Sequence, residues 1–147
     1  MTIDFGRIIS AKDKAQAELA AAQEAARGRV LAAIEAATLQ IVGRVPLAEM
    51  LSWTAKETAA RSWGTAAGAA GAADLIEVEA RVTGEQPDAL AQRILHNAEV
   101  FRAAVACLAG IRRNSDALIA AAEAPDAVAR IATEAVSRVA ALAQTRD

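Results

Sequence analysis

Apolar residues recur along most of this chain at steps of three and four positions, which is the period of a helix with one buried face. In segment 11–42 the apolar stripe comprises Leu19, Ala22, Ala26, Val30, Ala33, Ala37 and Ile41. In segment 87–122 it comprises Leu90, Ile94, Phe101, Val105 and Leu108, with Leu118 continuing it less regularly. In segment 126–143 it comprises Val128, Ile131, Ala135, Val139 and Leu142. No segment reads as a pair of strands, so the pattern predicts an all-α fold.

Capping signals set the expected starts of the first helices. Ser10 and Asp13 have the spacing of a capping box, and Gly43 suits the position just after a helix. Pro46 favours a first helical turn and predicts a short helix to about residue 51. Thr54 and Glu57 form a second capping box, so we expect Thr54 to begin a new helix that contains Trp63.

Glycine and proline divide the rest of the chain. Gly64, Gly68 and Gly71 lie in the run GTAAGAAGAA, which indicates either a break or a very close helix crossing. We favour a break and expect helix to resume and end at Gly84, with Asp88 and Asp126 in the first turns of the last two helices. The prediction is one helical domain, 1–147, divided into an arm 1–10, a long helix 11–42, short helices 46–83 broken at 64–71, a long helix 87–122 and a final helix 126–143.

Alanine supplies more than a quarter of the chain, within an apolar total of 54%. It favours helix but buries little area, at roughly 25 cal/mol for each Å². The expected architecture is therefore a set of long alanine-rich helices that form a bundle or a coiled-coil-like assembly behind a short N-terminal arm. The contact surfaces between these helices, called seams below, are thin because they contain mostly small side chains. We predict that such a chain associates with itself or with a partner.

Net charge and hydropathy indicate which partners and which cellular compartment to expect. The net charge is −2, so no global basic field exists to attract nucleic acid. The longest uncharged run, 62–73, is about half of the ~20 residues that span a membrane, and the N-terminus lacks the order of a secretory signal. The composition predicts a chain that binds no nucleic acid, inserts into no membrane and is made in the cytoplasm.

Residues that commonly act in catalysis or bind metals are few in this chain. His96 is the only histidine and Cys107 the only cysteine, so one chain cannot assemble a zinc site of that type. Cys107 lies in an apolar helical pattern and is expected to be buried and reduced. The glycine run lacks the lysine and the preceding strand of a phosphate loop. We therefore predict no catalytic residue, no metal and no cofactor.

The remaining candidates are residues for contact with other chains. Trp53 and Trp63 are either anchors of the core or parts of a recognition surface, and anchoring of the core is favoured. A buried indole N–H needs an acceptor, which we expect to be a carbonyl at a helix end. Arg112 and Arg113 form the one compact basic group, with Asp116 in reach of an ion pair. The interaction candidates are Ile3, Phe5, Trp53, Trp63, Arg112 and Arg113.

Two stretches resemble proteins of bacteriophage tail gene clusters, of the type found in phages of alphaproteobacteria. MTIDFGRIISAKDKAQAELAAAQEAARGRVLAAIEAAT is similar to the short arm and long alanine-rich helix that open those proteins. AEMLSWTAKETAARSW, followed by LAQRILHNAEVFRAAVACLAGIRR, resembles a helical segment of tail-fibre-associated proteins. The matching positions are Glu49, Ser52, Trp53, Lys56 and Ala59, then Ile94, Leu95, Asn97, Ala98 and Phe101. A proline-punctuated loop usual in that segment is replaced here by GTAAGAAGAA.

The resemblance implies a phage context and no enzymatic activity. The expected function is that of a structural or interaction protein of a phage tail or tail fibre, with tail proteins or further copies of itself as partners. The alternative is an assembly chaperone, or a small inhibitor of a host protein, that stays out of the particle. The expected location is accordingly the virion tail or the host cytoplasm.

Overall fold

The computed structural model describes residues 10–65 and 73–144, with the side chains of residues 73 and 74 left aside. Five helices occupy this part: α1, Ala11–Val42; α2, Leu47–Ser62; α3, Ala73–Thr83; α4, Pro87–Ala121; and α5, Pro125–Gln144. No strand occurs among the described residues, and the predicted all-α class is confirmed.

Local chemistry explains most of the helix ends. The backbone N–H of Asp13 donates to Ser10 Oγ (3.1 Å) and the N–H of Ser10 donates to Asp13 Oδ2 (3.2 Å), so the capping box at the start of α1 is formed. Gly43 and Gly84 follow α1 and α3 with φ of 72° and 74°, a backbone conformation that favours glycine.

The second expected capping box is wrong. α2 is one continuous helix from Leu47, with Pro46 immediately before it and Thr54 inside it. Residues 47–62 contain no glycine or proline, so nothing interrupts helical hydrogen bonding there. Trp63 lies at the C-terminal cap of α2 and is followed by Gly64 with φ of 75°, so its expected place inside a helix is also wrong.

The chain divides into two compact units. Unit 1 consists of residues 1–41 and 107–147, and its described part contains most of α1, the end of α4 and α5. Its buried side chains follow the helical periodicity: Ala26, Val30, Ala37 and Ile41 on α1; Leu108, Ile111, Ser115 and Ile119 on α4; and Val128, Ala132, Ala135 and Val139 on α5. Gln23 Nε2 donates to the carbonyls of Ile119 (3.0 Å) and Ala122 (3.3 Å) and thereby caps the C-terminal end of α4.

Unit 2 consists of residues 42–106 and contains α2, α3 and the first part of α4. Its cluster of fully buried apolar residues is Ala59, Ala60, Ile76, Ala80, Leu90 and Ala91, with Trp63, Ile94 and Leu95 packed against it. Four of these six residues are alanines, so Ile76 and Leu90 are its only large members. The seam is as thin as the composition predicts.

Candidate interaction surfaces

The two tryptophans mark the seam between α2 and α4 in unit 2. Trp63 Nε1 donates to Asp88 Oδ1 at 2.6 Å, so the acceptor is a side-chain carboxylate and not the expected helix-end carbonyl. Trp53 meets Phe101 edge to face, with ring centroids 5.6 Å apart and an interplanar angle of 78°. Because the later tryptophan lies beside the start of α4 and the earlier one beside a later turn, the two helices run antiparallel here.

This seam is only partly closed around Trp53. Trp53 and Phe101 are both half-buried. The next turns beyond them carry Met50 on α2 and Val105 on α4, with exposed fractions of 38% and 41%. We call these four residues the aromatic patch: Met50, Trp53, Phe101 and Val105. Such a group, with half-covered aromatic rings and a flexible methionine, is typical of the surfaces at which proteins bind each other.

Ion pairs connect α2 to both other helices of unit 2 beside this seam. Glu57 accepts hydrogen bonds from Arg61 on its own helix and from Arg102 on α4. The hydrogen bond from Arg61, then that from Arg102, lowers the pKa of the Glu57 carboxyl below its usual value. Lys56 Nζ lies 2.6 Å from Glu79 Oε2 and joins α2 to α3. These pairs fix the three helices of unit 2 in register and leave the aromatic patch itself apolar.

α3 presents a second apolar surface. Ile76 and Ala80 of this helix are buried in the unit 2 cluster, whereas Leu75, Val78 and Val82 are exposed on another side. Their spacing, i, i+3 and i+7, places all three along one stripe of the helix. We call Leu75, Val78 and Val82 the α3 outer face. The same spacing is visible in the sequence, but a helix of 11 residues has too few turns for a stripe to be distinct.

Of the other interaction candidates, Ile3 and Phe5 lie outside the described residues. Arg112 and Arg113 are exposed on the part of α4 that belongs to unit 1, and Arg112 Nη1 lies 3.1 Å from Asp116 Oδ2, as expected. Arg113 forms no ion pair within the described part of the chain.

The interior pattern of α4 differs from the prediction at three positions, and the first is Val105, which was expected in the buried stripe but is 41% exposed. Cys107 is a free thiol and exposed, not buried, because it lies about 100° round the helix from Leu108. Leu118 is likewise exposed, and the buried stripe instead runs through Leu108, Ile111, Ser115 and Ile119. Between Ala91 and Leu108 no residue of α4 is fully buried.

No group of three or more His, Cys, Asp or Glu side chains within residues 10–65 and 73–144 could hold a metal ion. His96 is exposed on α4. The concavity beside Ser115 and Arg138 has a volume of about 20 Å³, room for about one water molecule. Another concavity, of about 370 Å³, is widely open on the surface of α5 beside Ala129 and Thr133.

α4 is long and apolar enough to cross a membrane by length and composition alone, and α1 with α2 also passes that test as one broken segment. The core helix of a water-soluble protein passes the same test. Arg102, near the middle of α4, is held by Glu57 in the ion pair described above.

Comparison of the chain with models of protein families, with curated proteins and with solved structures finds no match. The structure itself defines an all-α protein, whose described helices form two compact units, with an alanine-rich seam in unit 2.

Proposed function

We propose that this protein is a non-enzymatic interaction protein that binds another protein through the aromatic patch. The observation that carries the proposal is the half-open seam at Trp53 and Phe101, beside which Met50 and Val105 remain partly exposed to water. Aromatic and methionine side chains are enriched at the centres of protein interfaces. Glu57, Arg61 and Arg102 beside the patch are already paired, so a partner could cover these groups without burying an unpaired ion; Glu49, one turn before Trp53, is exposed and forms no ion pair within the described residues.

The thin core of unit 2 supports the same proposal. Its six fully buried residues include four alanines, each of which contributes little to the free energy of folding. A partner that covers the aromatic patch would bury further apolar area and would stabilise the folded chain by mass action. The geometry therefore favours a chain that is most stable when bound.

The resemblance to phage tail proteins supplies the proposed context. The stretch that carries it, AEMLSWTAKETAARSW, contains Met50 and Trp53, and the matching stretch of α4 contains Phe101 and Val105. The residues of the aromatic patch thus fall within the stretches on which the resemblance rests. We infer that the partner is a protein of a phage tail or tail fibre and that the chain is a component of the particle.

Mass spectrometry of purified phage particles tests this function. We expect wild-type chain in the particles, and at least tenfold less of the Val105→Glu and Met50→Glu variants, because either variant places a charge in the buried centre of the interface. Leu118→Glu is the matched control, since Leu118 lies on the same helix and is similarly exposed at 48% but belongs to unit 1.

Three results would contradict parts of the proposal. Particles without the chain would exclude a tail component and would favour the alternative of an assembly chaperone or inhibitor. Equal incorporation of wild type and Val105→Glu would exclude the aromatic patch. Equal loss of Leu118→Glu would show that any added charge on α4 is harmful, whatever its position.

A further inference from the structure

Two arginines from different helices meet beside the aromatic patch. Arg61 of α2 donates to Glu57 Oε1 from Nε (3.0 Å) and from Nη2 (2.7 Å), and Arg102 of α4 donates to the same oxygen from Nη1. Because both guanidinium groups bind one oxygen atom, their nearest nitrogens lie within about 6 Å of each other. We call Glu57, Arg61 and Arg102 the charged trio.

The charged trio is paired but not balanced. Two cations share one carboxylate, so its net charge is +1 although each member has a partner. The side chains of Arg61 and Arg102 are 55% and 49% exposed. A guanidinium group has five N–H donors in a planar fork, and Glu57 takes two from Arg61 and one from Arg102. The other donors suit a second carboxylate, which arginine binds in a fixed geometry.

The charged trio adjoins the aromatic patch on both helices. Glu57 follows Trp53 by one turn on the same side of α2, and Arg102 directly follows Phe101 on α4. A partner that covers the two aromatic rings therefore also comes close to the arginines. Covering a net positive charge without a counter-ion is costly, because the charge loses its water. An acidic side chain on the partner removes that cost, and clusters of arginine commonly bind acidic motifs.

The unpaired acids of this region lie away from the charged trio. Glu49 precedes Trp53 by four residues and is about 12 Å along α2 from Glu57. Glu99 lies about 160° round α4 from Phe101. An acidic group on the partner would thus meet two cations at the Glu57 end of the patch and another acid at the Glu49 end. The charges favour one placement of that group.

We propose that the partner of the aromatic patch places an acidic side chain against Arg61 and Arg102, next to the apolar group that covers Trp53. This inference rests on the proposed function, since it names the chemistry of the partner at the same surface. The new carboxylate bridges the two guanidinium groups, and Glu57 remains the anion that holds them together. The aromatic patch provides apolar contact area, and the arginines fix the orientation of the partner.

Incorporation into purified phage particles, measured by quantitative mass spectrometry, is the first test. We expect about threefold less Arg61→Gln than wild type in the particles, and about tenfold less of the double variant Arg61→Gln, Arg102→Gln. Arg61→Gln alters a half-exposed side chain and should fold. Glu49→Gln is the matched control, because it also removes one charge from α2 near Trp53, and it should enter at the wild-type level.

Glu57→Gln separates recognition of the partner from stability of the fold. This change removes the anion that joins α2 to α4, so it should lower the free energy of unfolding, as the double arginine variant does. It also raises the net charge of the charged trio to +2, and we therefore expect incorporation no lower than wild type. If the charged trio only held α2 on α4, incorporation of all these variants would fall in step with their stability in urea.

Each outcome bears on one of the two proposals. Wild-type incorporation of the double arginine variant, together with loss of Val105→Glu, overturns this inference and leaves the proposed function standing. Loss of Glu57→Gln equal to that of Arg61→Gln also overturns it, and so does an equal loss of Glu49→Gln. Particles that lack the wild-type chain contradict the proposed function, and the inference falls with it.

Discussion

At the scale of single residues, unit 2 is held together by polar groups placed at the edges of a small apolar seam. Trp63 reaches Asp88, Lys56 reaches Glu79 and Glu57 reaches Arg102, and all three contacts connect the α2 segment to another helix. The cluster inside them is mostly alanine, whose burial contributes little. The edge contacts therefore carry a larger share of the specificity of packing than they would around a core of large side chains.

The ion pairs of Glu57 predict a dependence of stability on pH. Because the folded-state pKa of this carboxyl is lowered, its pairs stabilise the fold above the ordinary pKa of 4.5, and the contribution is lost as the pH falls below that value. Glu57→Gln should remove this part of the dependence. Urea unfolding of the variant between about pH 6 and pH 3 should then show a shallower loss of stability than wild type.

Glu24→Gln is the control for that comparison, because Glu24 is exposed on α1 and forms no ion pair in the described part of the chain. It should keep the wild-type slope. A Glu57→Gln slope equal to that of wild type would show that the pairs with Arg61 and Arg102 do not form in solution.

The bond from Trp63 to Asp88 predicts the cost of losing one N–H donor. Trp63→Phe keeps an aromatic ring against the cluster but removes the donor, and we expect it to lower the free energy of unfolding by about 1–2 kcal/mol. Asp88→Asn keeps an acceptor oxygen and should cost less than Trp63→Phe. Urea unfolding measures both, and the reverse order would show that the charge of Asp88, not its bond to the indole, stabilises the start of α4.

At the scale of elements, α2 shows that the same sequence pattern can occur at the start of a helix or inside one. Residues 54–57 read as the start of a helix, yet the helix already extends through them from Leu47. Threonine followed three residues later by glutamate is a capping box only where the preceding residues leave the helix. The unbroken helix keeps Trp53 and Glu57 one turn apart on the same side, where they contact Phe101 and Arg102 of α4. A bend at Thr54 would separate those two contacts.

The position of Thr54 inside α2 predicts the sign of a substitution. Thr54→Ala should raise the free energy of unfolding by about 0.5 kcal/mol, because alanine is the better residue in a helix interior. If Thr54 were a helix cap, the same change would cost about 1 kcal/mol. Ser10→Ala is the control at a cap that does form, and it should lower stability by about that amount. Urea unfolding of both variants decides between the two signs.

At the scale of the whole molecule, the described helices form two compact units, and unit 1 draws on both ends of the chain. Unit 1 buries larger side chains, such as Val30, Ile119 and Val139, whereas unit 2 relies on alanine. The aromatic patch belongs to unit 2, the unit with the thinner core. Large apolar side chains are nevertheless exposed in both units, for example Leu39 in unit 1 and Leu51 in unit 2.

Self-association, which the alanine-rich composition predicts, would make thermal stability depend on protein concentration. A hundredfold rise in concentration changes the free energy of a dimer by about 2.7 kcal/mol, or about half of that for each chain. For a chain of 147 residues this should raise Tm by about 3–5 °C. Circular dichroism at about 2 and 200 μM measures it. A wild-type Tm independent of concentration would contradict self-association.

The sequence by itself determined the helices, because their signals are local. The periodic stripes of α1 and α5, the Ser10 capping box and the glycines at positions 43 and 84 each act within a few residues, and the structure has them where the pattern places them. Tertiary structure decided what local patterns leave open: that Val105 and Cys107 face water and that Trp63 binds Asp88. Alanine explains the difference, since a small side chain favours helix strongly but fits a buried or an exposed side almost equally well. Which faces are covered therefore depends on the few large residues and on the chains that pack against them.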